Sequence, residues 1–252
     1  MALVTGGSRG LGRSICLALA AEGARVAINY FRDPARGIDL LPEAAELAKV
    51  IKAGHGVEAL PVPGDVSKSD EVVEMFRLTE STLGPVDSLV NNAGVWPTAY
   101  VRDMTEEQWN ATVAVNLTGP FLTCREAVRR WLSAGRRGRI VNITSQAAFH
   151  GSTTGHAHYA ASKSGLVTFS ISLAREVAPQ GIAVNCVAPG MMSTEMAREA
   201  LDKGQEEYIK RIPLRRIGDP AEVANVVAFL ASERASYMTG ATVDVTGGML
   251  MR

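Results

Sequence analysis

Apolar positions along this chain fall into blocks with two different periods. Residues 2–5, 25–30, 57–61, 86–90, 139–144, 182–188 and 241–245 are short runs carrying Val, Ile, Leu and Ala, the pattern of strands buried on both faces. Between them, residues 11–21, 42–53, 71–83, 105–133, 158–178 and 219–231 repeat apolar positions every three or four, which predicts helices with one face on a sheet. Glycines at Gly23, Gly54 and Gly84 stop three of these helices. In the longest, Gly119-Pro120 predicts a bend. Regular alternation of apolar strand and helix implies an α/β fold, a parallel sheet covered by helices on both faces. No internal repeat, low-complexity tract or linker divides the chain, so residues 1–252 read as one domain. Two segments stand outside the alternation. Residues 31–41 make a longer link than a strand-to-helix turn needs. Residues 190–213, polar and bearing methionines, follow a strand end, where open α/β sheets bind ligands, and are expected to form a substrate lid.

Charge narrows the function classes. The 252 residues hold 26 Lys and Arg against 26 Asp and Glu, so a nucleic-acid-backbone binder is not expected. No apolar run approaches the roughly 18 residues of a membrane span, so no membrane association is expected. The first residues lack a basic region, and Gly6 and Gly7 break any signal-like stretch, which fits a cytoplasmic location. Cys16, Cys124 and Cys186 fit no disulfide or metal spacing and are expected to be small buried side chains in a reducing compartment. His150, His156 and His158 have no carboxylate or cysteine at ligand spacing, so no metal is expected there. They read as polar groups of a pocket or loop, together with Trp96, Met191 and Met192.

Chemistry begins at residues 5–12, Thr-Gly-Gly-Ser-Arg-Gly-Leu-Gly, between the first strand and the first helix. Gly6, Gly10 and Gly12 allow a tight turn and close backbone approach to a pyrophosphate. Ser8, Arg9 and Leu11 lie between them, and the helix start offers unpaired N–H groups. The second strand ends at Tyr30 with no acid until Asp33, whereas Arg9 and Arg32 suit a 2′-phosphate. NADP(H) is therefore favoured, with NAD(H) the alternative. Asp65, followed by Val66, either accepts from an adenine amino group or forms a turn.

These residues are followed in order by Asn91-Asn92-Ala93-Gly94, Asn116, Ser145, Tyr159-Ala-Ala-Ser-Lys163 and Pro189-Gly190. With them the chain resembles the short-chain dehydrogenase/reductases along essentially its whole length. The resemblance implies a Rossmann-type, doubly wound, seven-stranded parallel sheet, a homotetramer, and hydride transfer between nicotinamide and a carbonyl or alcohol. Tyr159 and Lys163, four apart, share a helix face. A free tyrosine titrates near about 10, and a neighbouring ammonium, with the positive charge of an oxidised nicotinamide, is expected to lower that value so that Tyr159 acts as acid or base. Ser145 is expected to donate to the substrate oxygen. By resemblance, Lys163 also holds the nicotinamide ribose, and Asn116 bends its helix and holds a relay water. Asn92, Ala93 and Gly94 line the adenosine side, and Pro189 and Gly190 turn the chain at the nicotinamide. Thr194 either contacts the carboxamide or caps a helix before Glu195. Two positions depart from the pattern. Ser145 lies fourteen residues before Tyr159, where the family more often has thirteen, with Ser152 a weaker candidate for its role. Thr246 stands where many relatives have aspartate.

Residues 172–177, 212–218 and the Gly-Gly-Met ending look most like the 3-oxoacyl-[acyl-carrier-protein] reductase branch of fatty acid biosynthesis. That branch implies docking of an acidic carrier protein on Arg130 and Arg175, with Arg136, Arg137 and Arg139 nearby. A sugar, polyol or small-alcohol dehydrogenase is the alternative, and a non-catalytic nucleotide-sensing protein the minor one.

Overall fold

The computed structural model describes residues 1–152 and 154–251. The chain runs β1 (Ala2–Val4), α1 (Gly10–Ala21), β2 (Val26–Tyr30), β3 (Arg32–Asp33), β4 (Ile38–Asp39), α2 (Leu41–His55), β5 (Ala59–Pro63), α3 (Ser69–Leu83) and β6 (Ser88–Asn91). It continues α4 (Glu106–Val113), α5 (Gly119–Ser133), β7 (Gly138–Ile143), α6 (Ala147–His150), α7 (Ala157–Val177), β8 (Ile182–Pro189), α8 (Arg198–Arg211), α9 (Pro220–Leu230) and β9 (Thr242–Val245). Seven strands form one parallel sheet in the order β5-β2-β1-β6-β7-β8-β9. The order reverses between β1 and β6, and the crevice beyond their carboxyl ends is where such sheets bind ligands. The long link after β2 carries a two-residue antiparallel ribbon, β3 with β4.

Side chains alternate across the sheet. Ala2 and Val4 of β1 join one core layer with α1, α2 and α9, while Leu3 joins the other with α3, α5 and α7. Strands feeding both layers must be apolar at nearly every position, which is why the seven runs were continuous rather than alternating. No helix among the described residues is long and apolar enough to cross a membrane.

The bend expected at Gly119-Pro120 has a different origin. A π-helical turn, Ala114–Thr118, joins α4 to α5, and Gly119 already has helical φ/ψ. Pro120 sits in the first turn of α5, where proline is tolerated. The widened turn is centred on Asn116, whose side chain leaves the helix to bond Val95. Gly119 is required for another reason: a Cβ there would lie 2.9 Å from Val66 Cγ2.

Candidate active site

The glycine loop is stitched to the strand beside it. Thr5 Oγ1 accepts from the backbone N–H groups of Asn92 and Ala93, both at 3.0 Å, and Asn92 Nδ2 donates to the carbonyls of Thr5 and Gly6 at 3.0 Å. Gly12 packs so tightly that a Cβ would meet Gly6 O at 2.1 Å. Gly6 (φ 59°) and Gly10 (φ 53°) hold left-handed conformations that side chains disfavour. Ser8 is buried, Arg9 is exposed, and Leu11 packs against the core layer of α1. Helix α1 begins with no side-chain cap and no acid in its first turn, so its first N–H groups remain available to an anion. These residues fit the pyrophosphate of a dinucleotide. Asn29, which the sequence reading passed over, braces the same loop. Its Oδ1 accepts from Gly6 N at 3.1 Å and its Nδ2 donates to Gly64 O at 3.0 Å.

At the adenosine end, Tyr30 is buried at the tip of β2. Arg32 is exposed and paired with Asp39 at 3.3 Å, whereas Arg9 makes no ion pair among the described residues. Asp65 forms a turn: its Oδ1 accepts from Ser67 N (2.9 Å) and Ser67 Oγ (2.7 Å). Val66 is buried beside Gly119.

The reacting groups converge from three elements. Ser145 follows β7, Tyr159 and Lys163 share one face of α7, and Asn116 comes from the π turn. Ser145 and Tyr159 share a hydrogen bond, and Ala147 N donates to Ser145 Oγ at 3.1 Å. Fourteen-residue spacing is therefore no obstacle, because α6 and the turn after it take up the length. Ser152 instead pairs with Thr154. Asn116 Oδ1 accepts from Val95 N and its Nδ2 donates to Val95 O, both at 2.9 Å. Lys163 Nζ donates to Ile143 O at 2.8 Å and lies 5.8 Å from the centre of the Tyr159 ring. Gly94 lets both groups in: a Cβ there would be 3.2 Å from Asn116 Oδ1 and 3.6 Å from Lys163 Nζ.

In the protein alone, burial dominates the electrostatics of the pair. Burial pushes the Tyr159 phenol above its ordinary value, and only the Ser145 hydrogen bond pulls it down. Burial also brings Lys163 down to about 8. Lys163 donates to the Ile143 carbonyl and stays largely charged at neutral pH, but burial of the Tyr159 phenol is the larger effect on its proton.

Pro189 ends β8, and Gly190 N donates to Val245 O at 2.9 Å. A Cβ on Gly190 would strike Thr246 Cα at 2.9 Å. Thr246 closes the C-terminal turn, exchanging hydrogen bonds with Leu250. Thr194 caps nothing with its side chain, so the capping alternative is not what the structure holds. Thr194 and Glu195 lie against Gly10, with Glu195 Oε2 3.0 Å from the position of a Cβ there. Helix α8, kinked at Gly204, faces Trp96, Thr98, Tyr100 and His156 across a cavity of about 500 Å³. Met191 and Met192 line a separate cavity of about 360 Å³ near the C-terminus. His150 is exposed and bonded to Gly151 O. His158 is buried, with no partner for either ring nitrogen among the described residues. No three His, Cys, Asp or Glu among the described residues group as metal ligands.

Of the arginines proposed for docking, Arg130 is committed elsewhere. It pairs with Glu80 and Glu126, each at 2.6 Å, and stacks over Phe76. Arg136 holds Asp87 and Arg139 holds Glu233, while Arg175 is exposed with no ion pair among the described residues.

Comparison with known proteins gives a consistent picture. A family model described as Enoyl-(Acyl carrier protein) reductase matches residues 6–250. The 3-oxoacyl-[acyl-carrier-protein] reductase of Staphylococcus epidermidis is 42% identical over 250 residues, 99% of this chain and 98% of that protein. The 3-oxoacyl-[acyl-carrier-protein] reductase of Synechocystis is 40% identical over 252 residues, 100% of this chain and 97% of that protein. Among solved structures, a short-chain type dehydrogenase/reductase from Mycobacterium marinum superposes with a TM-score of 0.90 at 34% identity, covering 100% of this chain and 95% of its own.

Proposed function

The chain belongs to the short-chain dehydrogenase/reductase family and is a nicotinamide-dependent oxidoreductase, and we propose that it reduces 3-oxoacyl thioesters to 3-hydroxyacyl thioesters with NADPH. The observation that carries this reading is the hydroxyl pair of Ser145 and Tyr159 with Lys163 on the next turn of α7. Two neighbouring hydroxyl donors suit a carbonyl oxygen that becomes an alkoxide, rather than a carbon–carbon double bond. The full-length likeness to two 3-oxoacyl reductases favours the thioester over a polyol.

In this mechanism Ser145 donates to the substrate carbonyl oxygen and orients it. The glycine loop, Asn92, Ala93, Gly94, Gly190 and Thr194 would hold the dinucleotide, which would supply the hydride when bound. Tyr159 gives its phenolic proton to the oxygen as charge develops there, and a phenol pushed upward by burial is kept protonated for that step. Lys163 holds α7 to β7 through Ile143 O, and Asn116 holds the Val95 backbone at the cavity edge. The 190–213 segment acts as the lid over the substrate.

The 2′-phosphate that distinguishes NADPH falls to Arg9, free of ion pairs, more than to Arg32, already facing Asp39. An acidic carrier protein would dock on Arg175 rather than on Arg130, whose charge two carboxylates neutralise. Exposed Trp109, Phe121 and Leu132 on α4 and α5 supply apolar area for a homotetramer. Buried free cysteines fit a cytoplasmic location.

The test is NADPH oxidation with acetoacetyl thioester against small ketones and ketoses, with NADH in parallel. Fast thioester reduction that Tyr159→Phe abolishes, while NADPH still binds, is the expected result. Turnover confined to a ketose would move the enzyme to polyol chemistry.

A further inference from the structure

His156 is held more tightly than a loop residue needs to be. It precedes α7, three residues before Tyr159, and is only 6% exposed. Its backbone bridges to Ala99. Its ring stacks on Trp96, with centroids 4.5 Å apart and planes at 28°. Its Nδ1 lies 2.9 Å from Pro97 O. A carbonyl oxygen can only accept, so Nδ1 carries the proton, and in the neutral ring Nε2 is left with a lone pair. Nε2 has no hydrogen-bond partner among the described residues, and His156 lines the 500 Å³ cavity. Trp96 spans from His156 to Tyr159, its ring 6.3 Å from the phenol ring. A hydrogen-bond acceptor of fixed tautomer and fixed orientation therefore stands on the wall of a cavity that shares Trp96 with the surroundings of Tyr159.

We propose that His156 is a specificity-determining residue whose Nε2 accepts a hydrogen bond from an N–H or O–H group of the substrate. The inference rests on the carbonyl-reduction reading above and names the substrate feature that this pocket selects. In an acyl thioester of a pantetheine-type arm, the donor is the first amide N–H, six bonds from the reacting carbon. In a hydroxylated ketone it is a neighbouring hydroxyl. Polar groups inside a cavity discriminate chiefly against partners that leave them unpaired, so a substrate lacking the donor is penalised.

Two matched pairs test this. S-acetoacetyl-N-acetylcysteamine is compared with its N-methyl amide, which lacks only the N–H. 1-Hydroxy-2-butanone is compared with 3-pentanone, in which a methyl replaces the hydroxyl. The readout is the ratio of kcat/KM within each pair, for the wild type, His156→Phe and His156→Gln. Phenylalanine keeps the stack on Trp96 without an acceptor, and glutamine restores a carbonyl acceptor near the place of Nε2. The wild type is expected to prefer the donor-bearing member of one pair by about tenfold, the order of one hydrogen bond. His156→Phe brings that ratio close to one, and His156→Gln recovers part of it. The thioester pair responding assigns the donor to the pantetheine arm, and the ketone pair responding assigns it to a hydroxyl. A purely structural histidine would lower both members equally and leave the ratio unmoved, which overturns the proposal. So does a wild type without preference in either pair. No turnover of any of the four compounds, with NADPH binding intact, overturns the carbonyl-reduction reading itself.

Discussion

Replacing Lys163 with methionine should make the protein more stable at neutral pH and inactive. The ammonium is 4% exposed and meets one carbonyl, Ile143 O. Burial lowers its pKa to about 8 from the 10.5 of an exposed lysine. Between those values the unfolded chain binds the proton and the folded one does not, so stability rises with pH across that window and is flat below it. Below pH 8 the full penalty applies: 2.5 pKa units at 1.36 kcal/mol each, about 3 kcal/mol against folding. Methionine removes the penalty at similar volume but leaves Ile143 O unpaired, at a cost of about 1–2 kcal/mol. The net expectation at pH 7 is a gain of about 1–2 kcal/mol for Lys163→Met. Near pH 10.5 and above the lysine is neutral in the unfolded state too, and the variant should become the less stable protein by about 1–2 kcal/mol. Urea unfolding followed by tryptophan fluorescence, at fixed protomer concentration and at several pH values from 7 to 10.5, measures the crossover. A variant that is less stable at pH 7, or a difference that stays flat with pH, would refute the argument that desolvation dominates at this lysine.

Arg9→Gln should weaken NADPH binding by about tenfold while NADH binding changes little; Arg32→Gln, whose guanidinium already faces Asp39, should have the smaller effect in the same titration. Arg130→Ala should cost about 1–2 kcal/mol in urea unfolding, because Glu80 and Glu126 lose a half-buried partner, yet leave the KM for carrier-bound substrate within about twofold. His158 is neutral in the folded protein, since burial and then His156 pull its pKa below the ordinary 6.5. The unfolded chain takes up that proton first as pH falls through 6.5, so stability is lost on acidification. His158→Phe should therefore gain about 1 kcal/mol at pH 7 and lose less than the wild type between pH 7 and 5.

The parts of the fold that were legible in the chain are those written in local pattern. Seven apolar runs, each closed by a turn, became seven parallel strands, because burial on both faces leaves a strand no polar side. The glycine loop was equally legible, since its glycines answer to a turn a few residues long. What escaped depends on partners distant in sequence. Asn29 looked like a polar strand end until Gly6, 23 residues away, and Gly64, 35 residues away, were placed on its two amide atoms. Local pattern placed the helix bend at Gly119-Pro120; the family resemblance placed it at Asn116, and the contact that goes with it, Asn116 to Val95 21 residues back, is visible only in the fold. Arg130 read as a free docking charge because nothing in the spacing announces Glu80, 50 residues away. The balance of effects on the Tyr159 phenol has the same root. A lysine four residues away suggests an attractive ammonium, but whether it lowers the phenol depends on how much water both groups keep. That is a property of the volume enclosed by β7, α7 and the 91–97 loop, and it exists only once those elements have met. In the protein alone burial raises the Tyr159 phenol and lowers Lys163 to about 8, so at neutral pH the site holds a protonated phenol beside a lysine that is still largely an ammonium.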